Sequence, residues 1–290
     1  METVERGPQR INVTPISTTE NRQVRININR SSKYPRVGWG HLRYPICAVV
    51  GGGPSARHQI EMLQKWDGDV FAVNDTAGYL SDNGVECYLY SIDGSEVPFK
   101  VGKNVAGALF ASRVHKKQFA QIKKMGKPIR IFDLTEDCRM RGIEGGVTGV
   151  CRTPHLLLSM GYQGIAFFGV DGSFEGDMTH TSGDSDSAKD NMIIVRAAGK
   201  DYVTHAGFML QNEWLAEKVE RHSKFLTIMS GGLLPAMVAD PNWSVIAVAD
   251  DLKAKYEAGG NYVWTQKYEG NNFSWHQPQA SSPLPIQKQG

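Results

Sequence analysis

The sequence predicts an α/β fold, a mostly parallel sheet with helices on both faces, in a single main domain with an N-terminal arm and a C-terminal tail. Three observations carry that expectation. From Tyr44 onward, short apolar runs alternate with segments of helical spacing, as strands and crossover helices do. Runs such as "AFFGV" are apolar at nearly every position, which fits strands covered on both faces. The first run, "ICAVV", ends directly in three glycines.

The expected strands are "ICAVVG" from Ile46, "VFAVND" from Val70, "ECYLYSID" from Glu86, "ALFAS" from Ala108, "PIRIFDL" from Pro128, "IAFFGVD" from Ile165 and "FLTIMS" from Phe225. Between them lie helical segments: "ARHQIEMLQKW", "VCRTPHLLLSMG" and "AGFMLQNEWLAEKVERHS". The arrangement is Rossmann-like. Residues 44–240 form the domain, 1–43 a polar arm, and 241–290 an extension ending in a Pro/Gln/Ser-rich tail unsuited to packing. Within the arm, "RQVRININR" alternates as an edge strand or an extended segment would.

Composition narrows the function classes. The 290 residues carry 32 basic and 30 acidic side chains, so no broad nucleic-acid-binding surface is expected, and any contact with a polyanion has to be local. Cys47, Cys87, Cys138 and Cys151 contain no CxxC pair, which argues for buried thiols in a reducing compartment. The chain begins without an apolar signal core and contains no membrane-length apolar run, so a cytoplasmic, non-membrane protein is expected. A homo-oligomer is compatible with all of this.

A strand-to-helix turn built of Gly51, Gly52, Gly53, Pro54 and Ser55 bares backbone amides at a helix start, the arrangement that binds phosphate. A P-loop is excluded, because Ala56 and Arg57 stand where lysine and hydroxyl belong. A dinucleotide turn stays open: Gly51, Gly53 and Ala56 fit G-x-G-x-x-A, and Asp75 lies about 20 residues on, where a ribose-binding acid belongs. So does a turn without a ligand. Pro54 suits a first helical turn and Ser55 adds a hydroxyl, features of a mononucleotide-like cradle. Gly145, Gly146, Val147 and Thr148 make a second glycine-rich helix start. Asp171 follows a buried strand directly, with Glu175, Asp177 and His180 beyond it, on the ligand side of the sheet. His205 precedes a long amphipathic helix, whose positive end favours a neutral imidazole suited to act as a base.

In order, "VVGGGPS", "AVND", "LYSID", "EGGVTG", "GYQGIAFFGVDGSFEGDMTHT", "YVTHAGF" and "SGGLLPAM" resemble the MptE-like family, named for 6-hydroxymethylpterin diphosphokinase and including the central domain of Maf flagellin glycosyltransferases. The succession also resembles bacterial sialyltransferases that use CMP-sialic acid. The resemblance covers about residues 46–240. It implies that Gly51 to Ser55 hold nucleotide phosphate, that Asn74 and Asp93 lie near the nucleoside, and that Gly146, Val147 and Thr148 border the diphosphate or sugar. It further implies that Asp171 shapes the pocket and that His205 is the general base. Two departures stand out: Pro154 implies that its helix is kinked or starts late near Thr153, and "GVDGSF" lacks the aromatic that follows the sialyltransferase aspartate.

The expected function is therefore a nucleotide-dependent transferase moving a sugar from a nucleotide-sugar donor, CMP-sugar-like, to a hydroxyl. The alternative is ATP-dependent diphosphoryl transfer, with Asp93, Asp171 and Asp177 as candidate Mg²⁺ ligands. A non-catalytic nucleotide-binding module is the third reading.

Overall fold

A computed structural model of the chain describes residues 21–40, 45–96, 99–138, 142–175, 192–248, 267–269 and 272–274. Its elements are, in chain order, α1 (Asn21–Ser31), β1 (Ile46–Val50), α2 (Ile60–Gln64), β2 (Val70–Val73), α3 (Thr76–Asp82), β3 (Cys87–Ser91), β4 (Val105–Ala111), α4 (Lys116–Lys124) and β5 (Ile129–Phe132). There follow α5 (Gly149–Ser159), β6 (Gly164–Phe168), β7 (Met192–Ala197), β8 (Lys200–His205), α6 (Ala206–Arg221), β9 (Leu226–Ile228), α7 (Leu233–Ala239), β10 (Ser244–Val248), β11 (Lys267–Glu269) and β12 (Asn272–Ser274). A 3₁₀ turn, Pro54–Gln59, leads into α2.

The main sheet has seven parallel strands in the order β5-β4-β3-β2-β1-β6-β9, and each expected strand falls on one of them. All five residues of β6 are buried, as a strand covered on both faces requires. The chain fills one half of the sheet outward from β1 to β5, then returns to place β6 on the other side of β1. Strand order reverses there, so the carboxyl ends of β1 and β6 mark the switch point where open α/β sheets carry ligands.

Two expectations are corrected and one element is added to the expected fold. "RQVRININR" lies in helix α1, not in an edge strand. Val24, Asn27 and Ser31 are buried at helical spacing, and the Asn27 amide donates to the backbone carbonyl of Arg113 at 2.8 Å. Behind it the backbone of residues 35–37 bonds both sides of Ile131, covering the edge strand β5. Residues 21–40 of the expected arm thus pack on the sheet. Secondly, a three-stranded antiparallel sheet, β10-β7-β8, accompanies the parallel one. Its hairpin turns on Ala198 and Gly199, both at positive φ, the geometry of a two-residue turn matched to strand twist. β10 belongs to the C-terminal extension, so that extension also adds a strand. Thirdly, α5 starts at Gly149 rather than near Thr153. Pro154 cannot donate to the Val150 carbonyl, and the Thr153 hydroxyl does so instead at 2.7 Å. Among the described residues no helix is long and apolar enough to cross a membrane.

Candidate functional site

The carboxyl ends of β1, β2, β3 and β6 and the starts of α5, α6 and α7 share one rim of the sheet. At its centre, the β1 turn is clasped against the β6 turn. The Gly51 amide donates to Phe168 O at 2.8 Å and the Gly53 amide to Gly169 O at 2.7 Å. The Ser55 amide donates to Asp171 Oδ2 at 2.7 Å, and the Ser55 hydroxyl donates to Asp171 Oδ1. Ser55 Oγ in turn accepts the Gly231 amide at 3.1 Å.

The glycines answer to this contact. A Cβ on Gly51 would lie 2.6 Å from Gly169 O, and one on Gly53 would lie 2.6 Å from the same oxygen and 2.7 Å from Asp171 Cγ. Close approach of two backbones needs bare Cα atoms. Three of the amides read as a phosphate cradle are therefore engaged inside the protein, and Pro54 has none to offer. The Asp171 carboxylate is the anion at this helix start. Nor is the dipole large, since a six-residue 3₁₀ turn and a five-residue helix follow the glycines.

Asp171 is 3% exposed and is held from several sides. Its backbone carbonyl accepts the Leu234 amide at the start of α7, while the next carbonyl, Gly172 O, accepts from Thr204 Oγ1 at 2.7 Å and Asn212 Nδ2 at 3.0 Å. Burial raises its carboxyl above the ordinary value, and the two bonds from Ser55 oppose that shift. The residue positions the turns. With both oxygens bound to Ser55 it does not suit a Mg²⁺ ligand, and Asp93 Oδ1 accepts the Ser95 amide and hydroxyl in a local turn. Asp177 lies outside the described residues, as does His180. Among the described residues no three His, Cys, Asp or Glu side chains are grouped to hold a metal.

The second glycine-rich start differs. α5 runs 11 residues, and Thr148 at its N-cap makes no side-chain cap bond, because its hydroxyl is bonded to Gln211 Oε1 of α6 at 2.8 Å. The first-turn amides of a helix have no intrahelical partner, so this end offers donors and a positive dipole. Gly145 and Gly146 are bare for packing, since Cβ atoms there would meet Cys151 and, at Gly146, Trp214. Val147 is exposed. A Cβ on Gly149 would touch Tyr90 at 3.4 Å and Val73 at 3.7 Å, so the α5 start sits on the tips of β2 and β3. Cys151 lies in the first turn, but burial pushes its thiol up to about 11, leaving it protonated and inert.

Asn74 follows Val73 at the tip of β2. Its φ is 52°, one of two positive values outside glycine among the described residues, and its buried Oδ1 has no hydrogen-bond partner among those residues. A positive φ and an unmatched buried amide oxygen together make Asn74 a candidate for contact with a ligand. Asp75 turns away: its Oδ1 accepts the Lys100 amide at 3.2 Å, so it is not placed as a ribose-binding acid.

His205 caps α6, its Nδ1 accepting the amides of Gly207 at 3.1 Å and Phe208 at 3.3 Å. Its ring stacks on Phe208 at 4.0 Å. Because Nδ1 must hold its lone pair toward the helix, the neutral ring carries its proton on Nε2 and offers a donor there. A base needs the opposite tautomer. Capping alone is no mark of function here, for His115 caps α4 in the same manner.

The sequence reading thus located the rim, and it missed Asn212, Ser173 and the Ser230 to Gly232 turn that brace it. Gly232, at φ 78°, lies against Ser173 and Asp171, and its place in "SGGLLPAM" was the available signal. A cavity of about 460 Å³ opens at the opposite end of the sheet, beside Asp69, Phe71, Tyr88 and Tyr162. None of the predicted site residues lines it. No family model matches the chain, and comparison with the curated proteins finds no match.

Proposed function

We propose that the protein is a nucleotide-dependent transferase that moves a sugar from a CMP-sugar-like nucleotide donor to a hydroxyl. The observation that carries this reading is Asn74, with its positive φ and unmatched buried amide oxygen, beside the open N-terminus of α5. The resemblance to the MptE-like family and the sialyltransferases supports the same assignment, putting Asn74 near the nucleoside and Gly146 to Thr148 near the phosphates.

In this mechanism the α5 amides take the phosphate charge that grows as the glycosyl bond breaks. His205 lies six residues before Gln211, the residue that touches Thr148, or about 9 Å along α6. From there Nε2–H donates a hydrogen bond to the departing phosphate, which leaves with the bonding pair of the broken glycosyl bond and takes the proton of the attacking hydroxyl, so the histidine is a donor and not the base. Gly51 to Ser55 and Asp171 hold the rim rigid.

Thermal unfolding in CMP, UDP, GDP, ATP and NAD, each with and without Mg²⁺, tests the reading. A pyrimidine nucleotide at 100 times its Kd stabilises the folded state by about 2.7 kcal/mol without metal. The variant His205→Asn keeps a good cap and loses Nε2–H, so it binds nucleotide and loses sugar transfer. A response confined to ATP with Mg²⁺ moves the assignment to diphosphoryl transfer; a response to NAD alone restores the dinucleotide reading. Unimpaired transfer by His205→Asn removes the histidine from the mechanism.

A further inference from the structure

The near balance of charge over the whole chain conceals a local excess. Residues 21–40 contain five Lys or Arg and residues 113–130 contain seven, with no Asp or Glu in either segment. The fold sets these two segments side by side. Tyr34, just after α1, packs on Phe119 of α4 with ring centroids 4.7 Å apart, and Asn27 bonds the backbone carbonyls of Gly94 and Arg113.

Between α1 and α4 lies a cleft of about 200 Å³, lined among others by Arg30, Lys33, Tyr34, Lys116 and Lys123. Glu96 pairs with Lys117 on the neighbouring turn, but among the described residues no ion pair neutralises Arg30, Lys33, Lys116 or Lys123. Burial, with Lys116 and Arg30, lowers the pKa of the neighbouring His115, whose Nε2 lies 3.9 Å from Glu96 Oε2. Positive side chains thus stand on both walls, and no Asp or Glu is among the described residues that line the cleft.

We infer that this cleft binds the phosphate backbone of a single-stranded nucleic acid, independently of the sequence of the strand and of the transferase reading. Its two basic walls match a thread of regularly spaced phosphates, each of which releases counterions on contact with Lys or Arg. A duplex is too wide to lie between the walls and would meet only their rims. A membrane surface fits less well. On α1 the exposed side chains are Arg22, Arg25, Asn29 and Arg30, while Val24 is buried and Ile26 and Ile28 are half-buried, so no apolar face is left to enter lipid. Asn27 bonds Gly94 O, one residue from Asp93, so a bound strand would run past the same rim as the proposed donor site.

Fluorescence anisotropy of a labelled mixed-sequence single strand, titrated with the full chain from 50 to 200 mM salt, tests the inference. Each phosphate neutralised adds about 0.7 to the slope of log affinity against log salt, so Arg30→Ala/Lys116→Ala/Lys123→Ala flattens it by about 2. At 50 mM salt the affinity falls at least tenfold, whereas Lys200→Ala/Lys224→Ala, on exposed sites elsewhere, leaves it unchanged. The single reversal Lys116→Glu gives the same direction of change if the triple variant fails to fold. Absence of binding, equal loss in the Lys200/Lys224 variant, or tighter binding of duplex DNA or of vesicles rich in anionic lipid overturns the inference.

Discussion

Two glycine-rich helix starts border the same sheet, and they end up in opposite states. After β1, the amides of Gly51, Gly53 and Ser55 all have partners within the protein, and a buried carboxylate from the β6 turn occupies the place an anionic ligand would take. Before α5, the N-cap side chain is drawn away to Gln211, and an 11-residue helix presents its first turn without a side-chain cap. By motif the first turn is the stronger candidate for phosphate; by the hydrogen bonds among the described residues the second is the stronger candidate. Glycine at a strand end reports close approach of backbone, and only the partners of its amides tell whether the approaching group is a ligand or another strand.

The largest expected effect breaks this comparison on the closed side. If Gly53 is bare because Gly169 O and Asp171 lie against it, Gly53→Ala destabilises the fold by about 3 kcal/mol, the upper part of the usual overpacking range, because the obstructing carbonyl is backbone. Chemical denaturation measures it. Full stability together with lost nucleotide affinity would return the turn to the phosphate-binding role.

A smaller effect sharpens the account of Asp171. Burial raises its carboxyl in the folded state, so its contribution to stability is complete below the ordinary value of 3.8 and declines as pH rises through the folded-state value. Asp171→Asn removes that titration. Other carboxylates titrate in the same range, so the informative quantity is the difference between the two proteins. On raising the pH from 4 to 7, the parent loses stability relative to the variant, as read from urea midpoints at each pH. A difference of the opposite sign would mean that the bonds from Ser55 outweigh burial.

Much of the fold was legible because its signals are local. Each of the seven parallel strands announced itself as a short apolar run, and β6 is apolar because both its faces are covered. α1 was misread because Val24, Ile26 and Ile28 alternate like a strand, while the polar Asn27 that the helix buries against Arg113 O and Gly94 O resembles a solvent-facing residue. The β7-β8 hairpin was missed because its turn is Ala198-Gly199, with alanine where Asn or Asp usually gives the cue. In the site, the rim could be read from strand ends, but the state of its donors could not. The partner of Ser55 is 116 residues away, and no local pattern reports which of several carboxylates will fold against a given turn.

The finest test addresses the open side, where stability and binding are expected to separate. Asn74 adopts a φ of 52°, a conformation glycine takes without a side-chain penalty, while glycine also gives the unfolded chain more freedom to lose. The two effects oppose each other, so Asn74→Gly changes stability by less than about 1 kcal/mol. Its buried Oδ1 has no partner among the described residues, so its removal breaks no bond of that oxygen with them. A ligand that uses the amide loses a buried hydrogen bond, worth about 1.5 kcal/mol or a little over tenfold in affinity. Calorimetric titration of the preferred nucleotide against both proteins, alongside their melting curves, separates these quantities. Weakened binding at unchanged stability assigns the strained asparagine to ligand recognition. Unchanged binding with lower stability makes it a structural turn residue, and the proposed nucleotide site then loses the observation on which it rests.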